Sequence, residues 1–126
     1  QFDAADPRAT DRLLGLFERS YMEYEHDRQK DKGGEQSLAE MTSKAIDILS
    51  KNARGYFLMV EWDTHTDRVR RGLDRMVTLD RAIESTAKSV GSDTLRASSA
   101  TNRWAQFVCF EGSGAHRPRS TQRSAT

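Results

Sequence analysis

Gly55-Tyr-Phe-Leu-Met-Val-Glu-Trp-Asp-Thr-His-Thr-Asp67 is the stretch whose reading decides the fold. Its first part is an apolar run, Tyr56 to Val60, without polar alternation. Such a run suits a parallel strand covered on both faces. The run opens at once into Glu61, Asp63, His65 and Asp67, with a helical pattern close behind. In open α/β sheets, ligands gather just beyond the carboxyl ends of such strands. Three carboxylates and an imidazole in one place repel unless a cation joins them, so the cluster reads as a metal site. The same residues also suit a plain helix start, where acids complement the dipole and Asp63 or Thr64 serves as N-cap. Spacing alone leaves both readings open.

The flanking segments fix what surrounds this strand. Ser37-Leu-Ala-Glu40 is a capping box, and Leu38, Met41, Ala45, Ile46 and Leu49 follow as one apolar stripe. A helix of about four turns is therefore predicted, ending near Lys51 and turning at Gly55 into the strand. From about Asp67 a second helix is predicted, with Val69, Leu73, Met76, Val77, Ile83, Ala87 and Val90 on its buried face. Gly91 and Ser92 end it, and Asp93-Thr-Leu95 looks like the entry to another strand. Leu13 to Phe17 is a short apolar run that length assigns to a strand or a helical turn. Glu18 to Lys32, charged and mixed, reads as a solvated connecting loop.

Composition limits the function classes. The 126 residues carry 20 Lys and Arg against 19 Asp and Glu, so no bulk charge favours nucleic acid. No segment has the length of a membrane span. The single cysteine, Cys109, excludes an internal disulfide and a thiolate metal site, and reads as a small apolar residue. The first residues, polar and without an initiating Met, hold no secretory signal and suggest a start inside a longer chain.

Several blocks together resemble the alkaline phosphatases, in that family's order. They are Leu13-Leu-Gly-Leu-Phe17, Met22-Glu-Tyr-Glu25, Ser37-Leu-Ala-Glu-Met-Thr-Ser-Lys-Ala-Ile46, Lys51-Asn-Ala-Arg-Gly-Tyr-Phe-Leu-Met-Val-Glu61 and Gly72-Leu-Asp-Arg-Met-Val-Thr-Leu-Asp-Arg-Ala-Ile83. The match covers roughly residues 10–95 and corresponds to the third quarter of the enzyme. It implies an α/β fold: a partial alkaline-phosphatase-like sheet with flanking helices, a piece of a three-layer α/β/α sandwich. It also assigns Leu13–Phe17 to a strand. After Leu95 the family's Thr-Ala-Asp-His block is missing. Residues 1–95 are therefore expected to form the partial domain, and residues 96–126 a non-matching, disordered, altered or out-of-frame tail, basic and Ser/Arg/Pro-rich.

The resemblance implies a metal-dependent phosphate monoester hydrolase, with zinc and magnesium as cofactors and a phosphate monoester as substrate. Members use a serine nucleophile, and a zinc pair clamps the entering and leaving oxygens. Glu61 matches the family's magnesium-binding glutamate. The family's next two zinc ligands would fall on Thr66 and Arg70, which cannot serve. A shortened loop keeps the chemical order with Asp63 and His65, leaving Asp67 as a supporting or substitute ligand. Neither an Asp-Ser-Ala nucleophile block nor Thr-Ala-Asp-His is present. Ser20, Ser37, Ser43 and Ser50 offer no nucleophile setting. The chain alone is thus expected to be inactive.

Family habits add periplasmic or secreted localisation, and a homodimer of the full-length enzyme. Arg70 or Arg71, near the helix start, could bind phosphate, but a solvated helix face is the better reading of both. Two other readings compete. One is a phosphodiesterase or sulfatase of the same superfamily, separable only by the nucleophile block. The other is a non-catalytic helical interaction module, whose basic tail binds an acidic partner.

Overall fold

The computed structural model describes residues 2–63, 68–90, 94–100 and 104–112. Its elements are helix α1 (Glu25–Arg28), helix α2 (Leu38–Leu49), strand β1 (Gly55–Asp63), helix α3 (Val69–Ser89), strand β2 (Thr94–Ala100) and strand β3 (Trp104–Gly112). The sheet order is β1-β3-β2, with both pairings antiparallel. In register, Leu58 lies opposite Cys109 and Asp63 opposite Trp104. Because β1 and β2 both oppose β3, they run parallel to each other, and α3 makes the crossover between them. Helices on a sheet give the expected partial α/β architecture.

Helix α2 begins as its capping box dictates. The Ser37 Oγ accepts from the Glu40 N–H at 3.2 Å, and Glu40 Oε2 accepts from the Ser37 N–H at 2.7 Å. The Ser37 hydroxyl donates to the same carboxylate at 2.7 Å. That hydroxyl bond, and next the backbone one, hold the Glu40 carboxyl below its ordinary range; burial opposes them and Arg28 assists. A carboxyl with a lowered folded pKa stabilises the fold above its unfolded pKa. The contribution disappears as pH falls through the carboxylate range. Ser37→Ala is therefore expected to cost about 1 kcal/mol at neutral pH and less in acid, read from urea midpoints at about pH 7 and about pH 3.

Gly55 takes a φ of +88°, which turns the chain after α2 into β1 without a Cβ penalty. Along β1, Tyr56 and Val60 are buried and Leu58 and Trp62 partly so, all packed in one cluster with Leu38, Leu79, Ala82 and Cys109. Phe57 and Met59 point the other way and are exposed. The expected parallel strand covered on both faces is thus corrected. β1 pairs antiparallel with β3, and its outward residues meet no layer among the described residues. An unbroken apolar run cannot report whether both of its faces are covered.

Other expectations also change. Leu13–Phe17 forms no strand, and Leu14 and Leu16 are exposed. The segment read as a loop contains α1, closed by Arg28 Nη2 on Glu25 Oε1 at 2.9 Å and by Arg28 Nη1 donating to the Glu35 carbonyl at 3.1 Å.

Helix α3 buries Thr78, Leu79, Ala82 and Thr86, and of the predicted stripe Ile83 packs against the core while its first four members do not. Val69, Leu73, Met76 and Val77 are exposed. The buried threonines donate to carbonyls one turn back, Thr78 to Asp74 and Thr86 to Ala82, each at 2.8 Å. Their hydroxyls are satisfied locally, so burying them costs little.

Residues 96–100 and 104–112, expected within the tail, lie in β2 and β3, and β3 is the central strand. The short apolar run Phe107–Phe110 is enough to pair on both edges. The rest of the expected tail, 113–126, lies outside the described residues. No helix among the described residues is long and apolar enough to cross a membrane.

Candidate functional site

The carboxyl end of β1 is the place where the sequence puts its chemistry. Glu61 sits on the outer face and is exposed. Asp63, the last residue of the strand, is half-buried and meets Arg75, two turns into α3. One guanidinium nitrogen, Arg75 Nη1, lies 2.8 Å from Asp63 Oδ2 and donates to the Asp63 carbonyl at 2.8 Å. His65 and Asp67 lie outside the described residues. Among the described residues, no three His, Cys, Asp or Glu side chains converge as a metal group.

Arg75 is fixed from several sides. Its guanidinium carbon lies 4.5 Å from the Tyr24 ring centroid, and the Arg71 guanidinium carbon lies 4.4 Å from the same ring. Cation–π contacts of this kind favour a partly desolvated guanidinium. The Arg75 carbonyl accepts from the Trp62 indole N–H at 3.2 Å, which ties strand and helix together a second time. Arg71 also approaches Asp27 Oδ2 at 3.9 Å. Arg71 thus faces α1 and Tyr24, whereas Arg70 is exposed. Ser20 to Tyr24, Trp62, Asp63 and Arg75 line a small open pocket of ≈ 180 Å³.

Three of the serines singled out in the sequence are engaged in helix α2 and its caps. Ser37 caps α2, Ser43 Oγ lies 3.2 Å from Ser85 Oγ, and Ser50 Oγ donates to the Asp47 carbonyl at 3.4 Å. By donor chemistry, carboxylates with an imidazole fit a divalent cation. Of the two described carboxylates at the strand's end, Glu61 is exposed and Asp63 is paired with the Arg75 guanidinium.

Sequence reasoning missed Arg75, Tyr24 and Trp62. Arg75 reads as one of several arginines off the apolar stripe. Only the true rotation of α3, with Thr78, Leu79 and Ala82 inward, brings it over Asp63.

Comparison with known proteins gives one consistent result. The family model described as alkaline phosphatase matches residues 2–126. The tissue-nonspecific alkaline phosphatase of Homo sapiens is 41% identical over 96 residues, 71% of this chain and 18% of its own length. The corresponding isozyme of Felis catus is 42% identical over 83 residues, 62% of this chain and 16% of its own. The membrane-bound alkaline phosphatase of Bombyx mori is 38% identical over 88 residues, 66% of this chain and 16% of its own. The chain thus spans less than a fifth of these relatives. No solved structure matches.

Proposed function

The chain belongs to the alkaline phosphatase family, and from that premise we propose that it is part of a metal-dependent phosphate monoester hydrolase using zinc and magnesium. The family match over residues 2–126 carries this reading. The end of β1 supports it, because Glu61 and Asp63 stand where a metal-binding loop would begin.

Glu61 would contribute to magnesium, and Asp63, His65 and Asp67 would supply the zinc donors. Bound metal would polarise the phosphate and generate a nucleophile. The chain holds neither Asp-Ser-Ala nor Thr-Ala-Asp-His, so the nucleophile and the remaining ligands must come from elsewhere in a complete enzyme. A phosphate monoester is the substrate class, and a homodimer of the complete enzyme, periplasmic or secreted, completes the proposal.

Calorimetry with zinc and with magnesium tests it on the chain as it stands. The chain should bind zinc, and an Asp63→Ala, His65→Ala double variant should lose that binding. A chain that is folded by circular dichroism yet binds no zinc would refute the ligand assignment. That result would favour an interaction module, a reading to which the exposed Val69, Leu73, Met76 and Val77 stripe of α3 would then belong.

A further inference from the structure

We infer that the outward face of α3 is covered by the same helix of a second copy of this chain, the two helices running antiparallel. The inference is independent of the metal-site reading. Thr78, Leu79, Ala82 and Thr86 turn one side of α3 to the core. The other side carries Val69, Leu73, Met76 and Val77, of which Val69 is 80% and Leu73 63% exposed. Their order in the chain, steps of four, three and one, sets them on one stripe of the helix. A contiguous apolar stripe left in water marks an interaction surface.

Charge selects the partner and its direction. The N-cap Arg68, with Arg70 and Arg71, makes the start of α3 basic, and its first turn holds no acid. A basic start opposes the helix dipole. Beyond Val77 the same face continues with Asp80. Arg70 and Asp80 are both exposed, and neither is in an ion pair among the described residues.

A parallel partner would set arginine against arginine. An antiparallel partner, centred midway between Leu73 and Val77, sets Leu73 beside the partner's Val77. It also brings Arg70 within reach of the partner's Asp80. In a two-fold contact each pairing occurs twice, so the patch completes itself and needs no second kind of surface. The apolar stripe is short for a standard interface, so the dimer is weak, with a Kd on the order of 100 µM. At low micromolar concentration the chain is a monomer.

Sedimentation velocity over about 5–500 µM, a range that spans this affinity, tests the inference. The chain should pass from monomer to dimer across it. Leu73→Asp should abolish dimerisation, and circular dichroism should show the fold intact, because Leu73 is exposed. Arg70→Asp and Asp80→Arg, each alone, should weaken the dimer about tenfold by setting like charges together twice. The two changes combined restore opposite charges and should return the affinity to within about threefold of the unsubstituted chain.

A chain that stays monomeric throughout would overturn the inference. So would a dimer that Leu73→Asp leaves intact, or single variants whose loss the combined charge swap does not recover. Should Leu73→Asp fail to fold, dilution of the unsubstituted chain decides by NMR. The Val69, Leu73 and Val77 methyl signals should shift with concentration along the sedimentation curve. Signals that stay unmoved while the chain dimerises would place the contact elsewhere and overturn the inference.

Discussion

Leu79→Ala is expected to destabilise the fold by about 2–5 kcal/mol, the range for emptying a well-packed leucine site. Leu79 is 6% exposed and joins Leu38, Tyr56, Val60, Ala82 and Cys109 in a cluster that joins α2 and α3 to the sheet. Ala82, one turn away on the same face, is fully buried. A domain of this size holds on the order of 5–15 kcal/mol in all, so one such loss is a large share.

Leu73→Ala is the control on the same helix. Leu73 is 63% exposed, and its loss should change stability by less than about 0.5 kcal/mol. Urea denaturation followed by circular dichroism compares the two. Equal losses, or the reverse order, would mean that α3 presents its Val69, Leu73 and Val77 face to the core and that the rotation described above is wrong.

That rotation marks the boundary of what the sequence discloses. Helix α2 is legible because its capping box and its stripe agree, two independent signals for one element. Strand β1 is legible from its apolar run, but the run conceals its geometry, since Phe57 and Met59 are as apolar as the residues they alternate with. In α3 the apolar period points to one face and packing chooses another. The deciding residues, Thr78 and Thr86, carry their own hydrogen-bond acceptors within the helix and so pass as apolar. Strand β3 is hidden because only Phe107–Phe110 announces it within a polar segment. At the site, family resemblance locates Glu61 and Asp63, while Arg75 belongs to a contact across twelve residues that no local pattern encodes.

Arg75→Ala should cost about 2–4 kcal/mol, between the value of a single charged hydrogen bond and that of a broken buried pair. The side chains of Arg75 and Asp63 are 11% and 24% exposed, so solvent screens the pair only in part. Removing the arginine takes a charge-assisted contact from a half-buried carboxylate and a hydrogen bond from the strand-end carbonyl, and removes one of the two guanidinium groups over Tyr24. Asp63→Asn should cost less, about 1–2 kcal/mol, because an amide still accepts a hydrogen bond and the guanidinium keeps its carbonyl and its ring. The double variant Arg75→Ala, Asp63→Asn should lose less than the sum, by a coupling of about 1–3 kcal/mol.

Denaturation of all four proteins at low and at high salt yields that coupling. An exposed pair would be weak and would fade further in salt. A coupling that survives salt would show that the charge at the end of β1 is held inside the fold. A coupling near zero would make the pair incidental to the stability of the fold.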